Sequence, residues 1–191
     1  MGHRAPTVIA AMVKENLRGL GLLGSAKVGM IREQLDTELI DEIESATRVG
    51  HLSTAVDRQI FRAIALHAGL EGVRRVIDHT MRTHLEQPLF RPMLLGASHI
   101  YGMQARPALA VLCKGFGLVH RDNGVLRLID HESALSLDLV GAEPATVADN
   151  AYMQAFAGAF QTALRMAAPK GRVSVDDIDP DRGFVRFACA L

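Results

Sequence analysis

Cysteine, tyrosine and long apolar runs are scarce in this chain, tryptophan is absent, and neither sign of charge is in excess. The two cysteines, Cys113 and Cys189, lie far apart in sequence and match no metal-binding or redox spacing. They read as reduced core thiols of a cytosolic protein. Lys and Arg number 21 and Asp and Glu number 21, so the net charge is zero. Non-specific nucleic-acid binding needs a basic field that this composition does not supply, and the longest basic run is Arg74-Arg75. No apolar stretch reaches the ~18 residues that suggest a membrane span. No secretory apolar region precedes the first helical pattern. Pro6 stands where N-myristoylation needs Ser or Thr, and Cys189 is third from the end, not fourth, so the prenylation box fails. A cytoplasmic protein with no membrane span and no nucleic-acid partner is expected.

Local signatures of catalysis are also missing. "GLGLLG", Gly19 to Gly24, matches G-x-G-x-x-G, but a helical pattern precedes it where a dinucleotide site needs a strand. Lys27 does not follow Gly24 directly, so a Walker loop fails too. The segment reads as a turn between helices. "HRD", His120 to Asp122, matches the opening of the kinase catalytic-loop motif, yet position 127, where that motif needs Asn, holds Arg127. There is no H-E-x-x-H, no paired-cysteine zinc box and no G-x-S-x-G elbow. The chain is not expected to be an enzyme.

What is present is 49% hydrophobic and 22% charged residues over 191 positions, enough for one domain with a real core. Ile9, Met12, Val13, Leu17 and Leu20 recur at helical spacing, so a helix is expected from Pro6 to about Leu20. "AKVGMIREQL" and "DTELIDEIESAT" follow, the second with Asp36 as its cap. A longer helix is expected from Ser53 or Thr54 to Ala68, with Val56, Ile60, Ala63 and His67 on one face. Gly69 ends it, and a further helix carries Val73, Ile77, Thr80 and His84 inward. "FRPMLLGASHIYGMQ" is apolar nearly all round, as a helix buried on several sides would be. After Gly115 the pattern turns to strands. "GLVHR" and "VLRLID" flank Asp122-Asn123-Gly124 and read as a hairpin. "ALSLDLVG" is a third strand. A helix from about Thr146 to Ala168 follows, with Thr146 and Asp149 as a capping box. "RVSV" and "FVRFACAL" close the chain as a second hairpin. The expected class is α+β: N-terminal helices packed on one face of a four- to five-stranded antiparallel sheet, with a β-β-β-α-β-β C-terminal half. Residues 1–50 form an N-terminal helical segment and 51–191 an α+β ligand-binding domain, unless the two are one continuous domain.

Candidate functional residues lie where these elements meet. His67 and His84 project from apolar faces of neighbouring helices. A neutral imidazole offers a lone pair to a metal or haem iron, while the competing reading is a core histidine bonded to a carbonyl. Met93, Tyr101 and Met103 sit in the apolar central segment, where methionines suit an adaptable pocket or simply fill a core. In "DNAYMQAFAGAFQTAL", Tyr152, Phe156, Ala159 and Ala163 share one face and should lie on the sheet. Gly158 falls on the polar face with Asn150, Gln154, Gln161 and Arg165, where Ala would be better by ~1 kcal/mol. It is either a tolerated surface glycine or a place where another backbone, a ligand or a partner comes close.

The order of helices, then "GFGLVHRDNGVLRLIDHESALSLDLVG", then "AYMQAFAGAFQTALRMAA", then a closing hairpin resembles uncharacterised bacterial proteins related to the haem–nitric-oxide-binding and four-vinyl-reductase domains. The resemblance covers residues 50–191, with Tyr152 and Gly158 on the matching helix. It implies a sensory or ligand-binding module, often dimeric, with an apolar cavity between helices and sheet. The haem-binding branch uses a helical histidine and a Tyr-x-Ser-x-Arg stretch for the propionates. Here the two tyrosines begin "YGMQA" and "YMQAF", so that stretch is absent. The expectation is a non-enzymatic sensor or signalling adaptor, homodimeric, for a small hydrophobic ligand, working with a signalling protein. The alternatives are an interaction module without ligand and a haem-based gas sensor using His67 or His84.

Overall fold

The computed structural model describes residues 5–85, 104–131 and 134–191. The chain opens on a strand, β1 (Thr7–Ile9), and then turns into helix α1 (Ala10–Gly19). A helix from Pro6 was expected. Thr7-Val8-Ile9 is a β-branched run, which fits a pleated strand better than a first helical turn. A 3-10 turn (Leu20–Leu23) fills the glycine-rich break and leads to α2 (Ser25–Gln34) and α3 (Thr37–Ser45). Asp36 caps α3 as expected, its carboxylate accepting from the Glu38 amide. A short strand, β2 (His51–Ser53), precedes α4 (Thr54–Leu85). Gly69 interrupts α4 with φ 69° and ψ 178°, so the break predicted there is real, and helical turns resume after it.

Helix α5 (Ala105–Val119) runs into β3 (His120–Arg121), followed by β4 (Val125–Asp130) and β5 (Leu135–Val140). After them come the single-turn helix α6 (Pro144–Val147), α7 (Asn150–Arg165), β6 (Arg172–Asp179) and β7 (Phe184–Ala190). The strands form two antiparallel sheets. The larger has the order β4-β5-β7-β6, and the smaller has β2-β1-β3. The expected four-stranded sheet and the order of its elements are therefore present.

The first hairpin is not. Gly117 to Val119 stay in α5, β3 pairs with β1 instead of β4, and β4 pairs with β5. A type I′ turn needs positive φ at both central residues. Here positive φ falls on Asp122 (55°) and Gly124 (77°), and Asn123 is not among such residues. The turn hands the chain from one sheet to the other. The capping box also differs. Pro144 starts α6 separately, Thr146 donates to Glu143 instead, and Asp149 caps α7 by accepting from the Tyr152 amide.

The inner face of the larger sheet is an apolar patchwork read straight from period two. Leu135, Leu137 and Leu139 of β5 stand opposite Cys189, Phe187 and Val185 of β7. α7 lies over this face, with Phe160 edge-on to Phe187 at 5.0 Å. α4 then packs on the other side of α7, and α1 and α2 pack on α4. A one-sided α7 was expected. Instead its burial extends to Met153, Ala157 and Leu164, because it is a middle layer with the sheet on one flank and α4 on the other. The N-terminal residues are woven in: Val8 pairs with both Leu52 and His120, and the Thr54 amide donates to the Pro6 carbonyl. Among the described residues no helix is long and apolar enough to cross a membrane.

Candidate functional site

The seam between the helical layers and the sheet centres on α7. Tyr152, Phe156 and Phe160 recur every four residues and stack along one flank. Ring centroids are 4.7 Å apart for Tyr152 and Phe156 and 5.9 Å for Phe156 and Phe160. Phe61 of α4 joins at Tyr152, at 6.0 Å. Phe116 of α5 meets Phe156 edge-on at 5.6 Å, and His120 of β3 stacks on Phe116 at 4.6 Å. The result is a continuous aromatic wall from α4 to the sheet.

Polar groups are buried into this wall. Asp57 of α4 accepts a 2.9 Å hydrogen bond from the Asn16 amide of α1. Both side chains are buried, and burial raises the Asp57 pKa to about 6, against the lowering pull of Asn16 and Tyr152. The Tyr152 hydroxyl lies in the field of that carboxylate but outside hydrogen-bond geometry, and its oxygen has no partner. Its own pKa is pushed well up, by burial first and then by Asp57. Along the same wall, edge-on to Phe156 at 5.2 Å, His120 is held neutral. Burial, with a contribution from His51, lowers its pKa to about 3, and its Nδ1 is buried without a partner. Asn123 is fully buried with neither amide atom bonded. Buried polar atoms are normally satisfied, so the Tyr152 hydroxyl, His120 Nδ1 and the Asn123 amide stand out as exceptions among the described residues.

Of the candidates taken from the sequence, His84 is buried on α4 and His67 is half-buried before the Gly69 break, with its Nε2 buried and without a partner. The break separates them along α4. Met93, Tyr101 and Met103 lie outside the described residues. Gly158 faces the chain's own α4. A Cβ there would sit 2.6 Å from Ile77 Cγ2, with the Arg74 Cα at 3.8 Å, so the close neighbour is an intramolecular helix. Sequence reading missed Asn16, Asp57, His120 and Asn123. The signal for Asp57 was available: Phe61 and Ile64 follow it at i+4 and i+7, so the buried arc of α4 is wide enough to include it.

Haem requires an imidazole facing a plate-shaped space and counter-charge for its carboxylates. The helical histidines among the described residues are His67, His79 and His84, all on α4, while α5 and α7 carry none. Two guanidiniums of α4 pair with carboxylates, Arg62 with Asp149 at 2.6 Å and Arg58 with Glu143 at 3.7 Å, while Arg74 donates to the neutral Gln154 amide of α7 at 3.0 Å. Asp57 adds a further buried acid there, which repels a propionate. The helices touch at Gly158, so a porphyrin has no room between them at that turn. The described residues of the α4–α7 seam do not fit haem. Nor do they gather three or more His, Cys, Asp or Glu side chains around a metal site. Burial pushes the thiols of Cys113 and Cys189 up to about 11, away from the thiolate form.

No family model matches the chain, and no curated protein does. Solved structures do. A mutant of an H-NOX protein from K. algicida, in the Fe(II) unliganded state, superposes with a TM-score of 0.63 at 13% identity, covering 94% of this chain and 94% of that one. An H-NOX structure from work on haem distortion gives 0.61 at 17% identity, covering 95% and 92%. An oxygen-binding H-NOX domain related to soluble guanylate cyclases, in its oxygen complex, gives 0.56 at 18% identity, covering 95% and 92%. The resemblance read over residues 50–191 therefore extends over nearly the whole chain at the level of architecture: this chain has the α+β fold of H-NOX domains.

Proposed function

We propose that this chain is a non-enzymatic sensory module that has kept the H-NOX architecture and uses its helix–sheet seam to bind a small ligand other than haem. The observation that carries the reading is the shared fold over 94–95% of the chain, joined to a seam where Arg58 and Arg62 are already paired with carboxylates. The aromatic wall around Phe116, Tyr152 and Phe156 suits an apolar body. The unpartnered Tyr152 hydroxyl and His120 Nδ1 suit one or two polar atoms on it. His84, with Met93, Tyr101 and Met103, is proposed to border the same pocket, and the chain to act as a homodimer on a signalling partner.

Native mass spectrometry of freshly purified protein tests this. A bound small molecule lighter than haem, lost in a Phe156→Ala variant, is expected. A chain that carries nothing under any purification condition would remove the ligand and leave the interaction module. A second reading, a haem-based gas sensor, is favoured by the haem-carrying neighbours, and it is the competing outcome of a haemin titration.

A further inference from the structure

Asp57 is a carboxyl group buried at a junction of three helices with no cation of its own. Its hydrogen bond comes from Asn16 on α1. The neighbouring charged groups have partners elsewhere, although the Arg58 Nε is buried without one. On α4, Arg58 reaches Glu143 and Thr146, and Arg62 reaches Asp149. On α1, Glu15 pairs with Arg18 at 2.6 Å and meets Arg48 at 3.7 Å. On α7, Tyr152 faces Asp57 and Asp149 adds negative potential to that tyrosine. An ionised Asp57 therefore meets only neutral donors, the Asn16 amide and the Tyr152 hydroxyl, and no cation paired to it in a water-poor setting, a costly arrangement. A protonated Asp57 keeps the Asn16 bond and gains a donor, and the unpartnered Tyr152 oxygen beside it can accept.

We propose that Asp57 is a proton-operated latch that fastens α1 to α4 and α7 when neutral and loosens that attachment when ionised. α1 follows directly from β1, whose Val8 pairs with His120, so the latch adjoins the aromatic wall. The device does not depend on which ligand, if any, the seam binds.

The sign follows from linkage. A carboxyl whose pKa rises from 3.8 to about 6 on folding binds more protons folded than unfolded between those values. Its stabilisation is full below the lower value and is lost as pH rises through the upper one. Two pK units correspond to about 100-fold in the folding constant. His120 acts oppositely, so the wild-type profile alone does not isolate Asp57. The test is the melting temperature of wild type and Asp57→Asn from pH 5 to pH 8, with infrared detection of the protonated carboxyl. The uncharged amide of that variant mimics the neutral latch, and His120 is common to both proteins. The variant should be the more stable at pH 8, and the gap should narrow steadily on acidification to pH 5. Hydrogen exchange of wild-type α1 amides, corrected for intrinsic rate and compared with α3 amides, should slow on acidification. This second measurement stands if the variant fails to fold. A pH-independent gap, or a carboxyl titrating near 4, would overturn the latch.

Discussion

A single missing methyl group sets the spacing between the two central helices. Gly158 lets α7 approach α4 until a Cβ would collide with Ile77 Cγ2 at 2.6 Å. Gly158→Ala should therefore destabilise by about 1–3 kcal/mol, despite the better helix propensity of Ala. The same change in an Ile77→Ala background should cost markedly less, because the colliding methyl is gone. Chemical denaturation of the four proteins of that double-mutant cycle measures the coupling. Equal costs in both backgrounds would show that the contact does not set the spacing. From sequence alone Gly158 was visible as an anomaly on a polar face, and the neighbour that explains it was not. A helical wheel carries no information about a layer contributed by residues some 80 positions earlier. Asp57 escaped for a related reason: a charged residue beside an apolar stripe reads as solvated until a second helix covers it.

Among the elements, α7 depends on Asp149 for its start. The carboxylate accepts from the Tyr152 amide and also holds Arg62 at 2.6 Å. Asp149→Ala should cost about 1 kcal/mol for the cap, with little added by the Arg62 pair, since that guanidinium is well exposed. Asp149→Asn should retain most of the cap, and thermal unfolding of the two variants separates cap from charge. The periodicity of α7 and of the sheet strands was legible because their side chains report burial directly: Leu135, Leu137 and Leu139 alternate, and Tyr152, Phe156 and Phe160 repeat at four. The two short strands β1 and β2 and the fate of the Asn123-Gly124 turn were not. A three-residue strand has too few positions to show a period. A turn motif fixes local φ and ψ without fixing which strand lies beyond it, and here β3 found β1 first.

For the whole molecule, two buried groups pull stability in opposite directions with pH. His120 stays neutral in the folded chain and protonates when unfolded below its ordinary 6.5. Its contribution is present above that value and is lost as pH falls, by up to about 2 kcal/mol at pH 5. Asp57 contributes the reverse trend. The wild-type profile between pH 5 and 7 should be flatter than that of either variant. His120→Phe, which keeps the stack on Phe116, should gain stability on acidification relative to wild type, and Asp57→Asn should lose it. Parallel profiles for all three proteins would contradict both assignments.

The layered fold of helices over an antiparallel sheet is shared with H-NOX domains, while α4 and α7 are joined by the Arg62–Asp149 pair and by close contact at Gly158. The account therefore turns on the claim that this architecture operates here without haem. Titration of the purified chain with haemin, followed in the Soret region for wild type and for His67→Ala and His84→Ala, tests it most directly. Only weak absorbance unaffected by either substitution is predicted. A saturating, stoichiometric Soret band abolished by one of the two substitutions would contradict it and make the chain a haem protein.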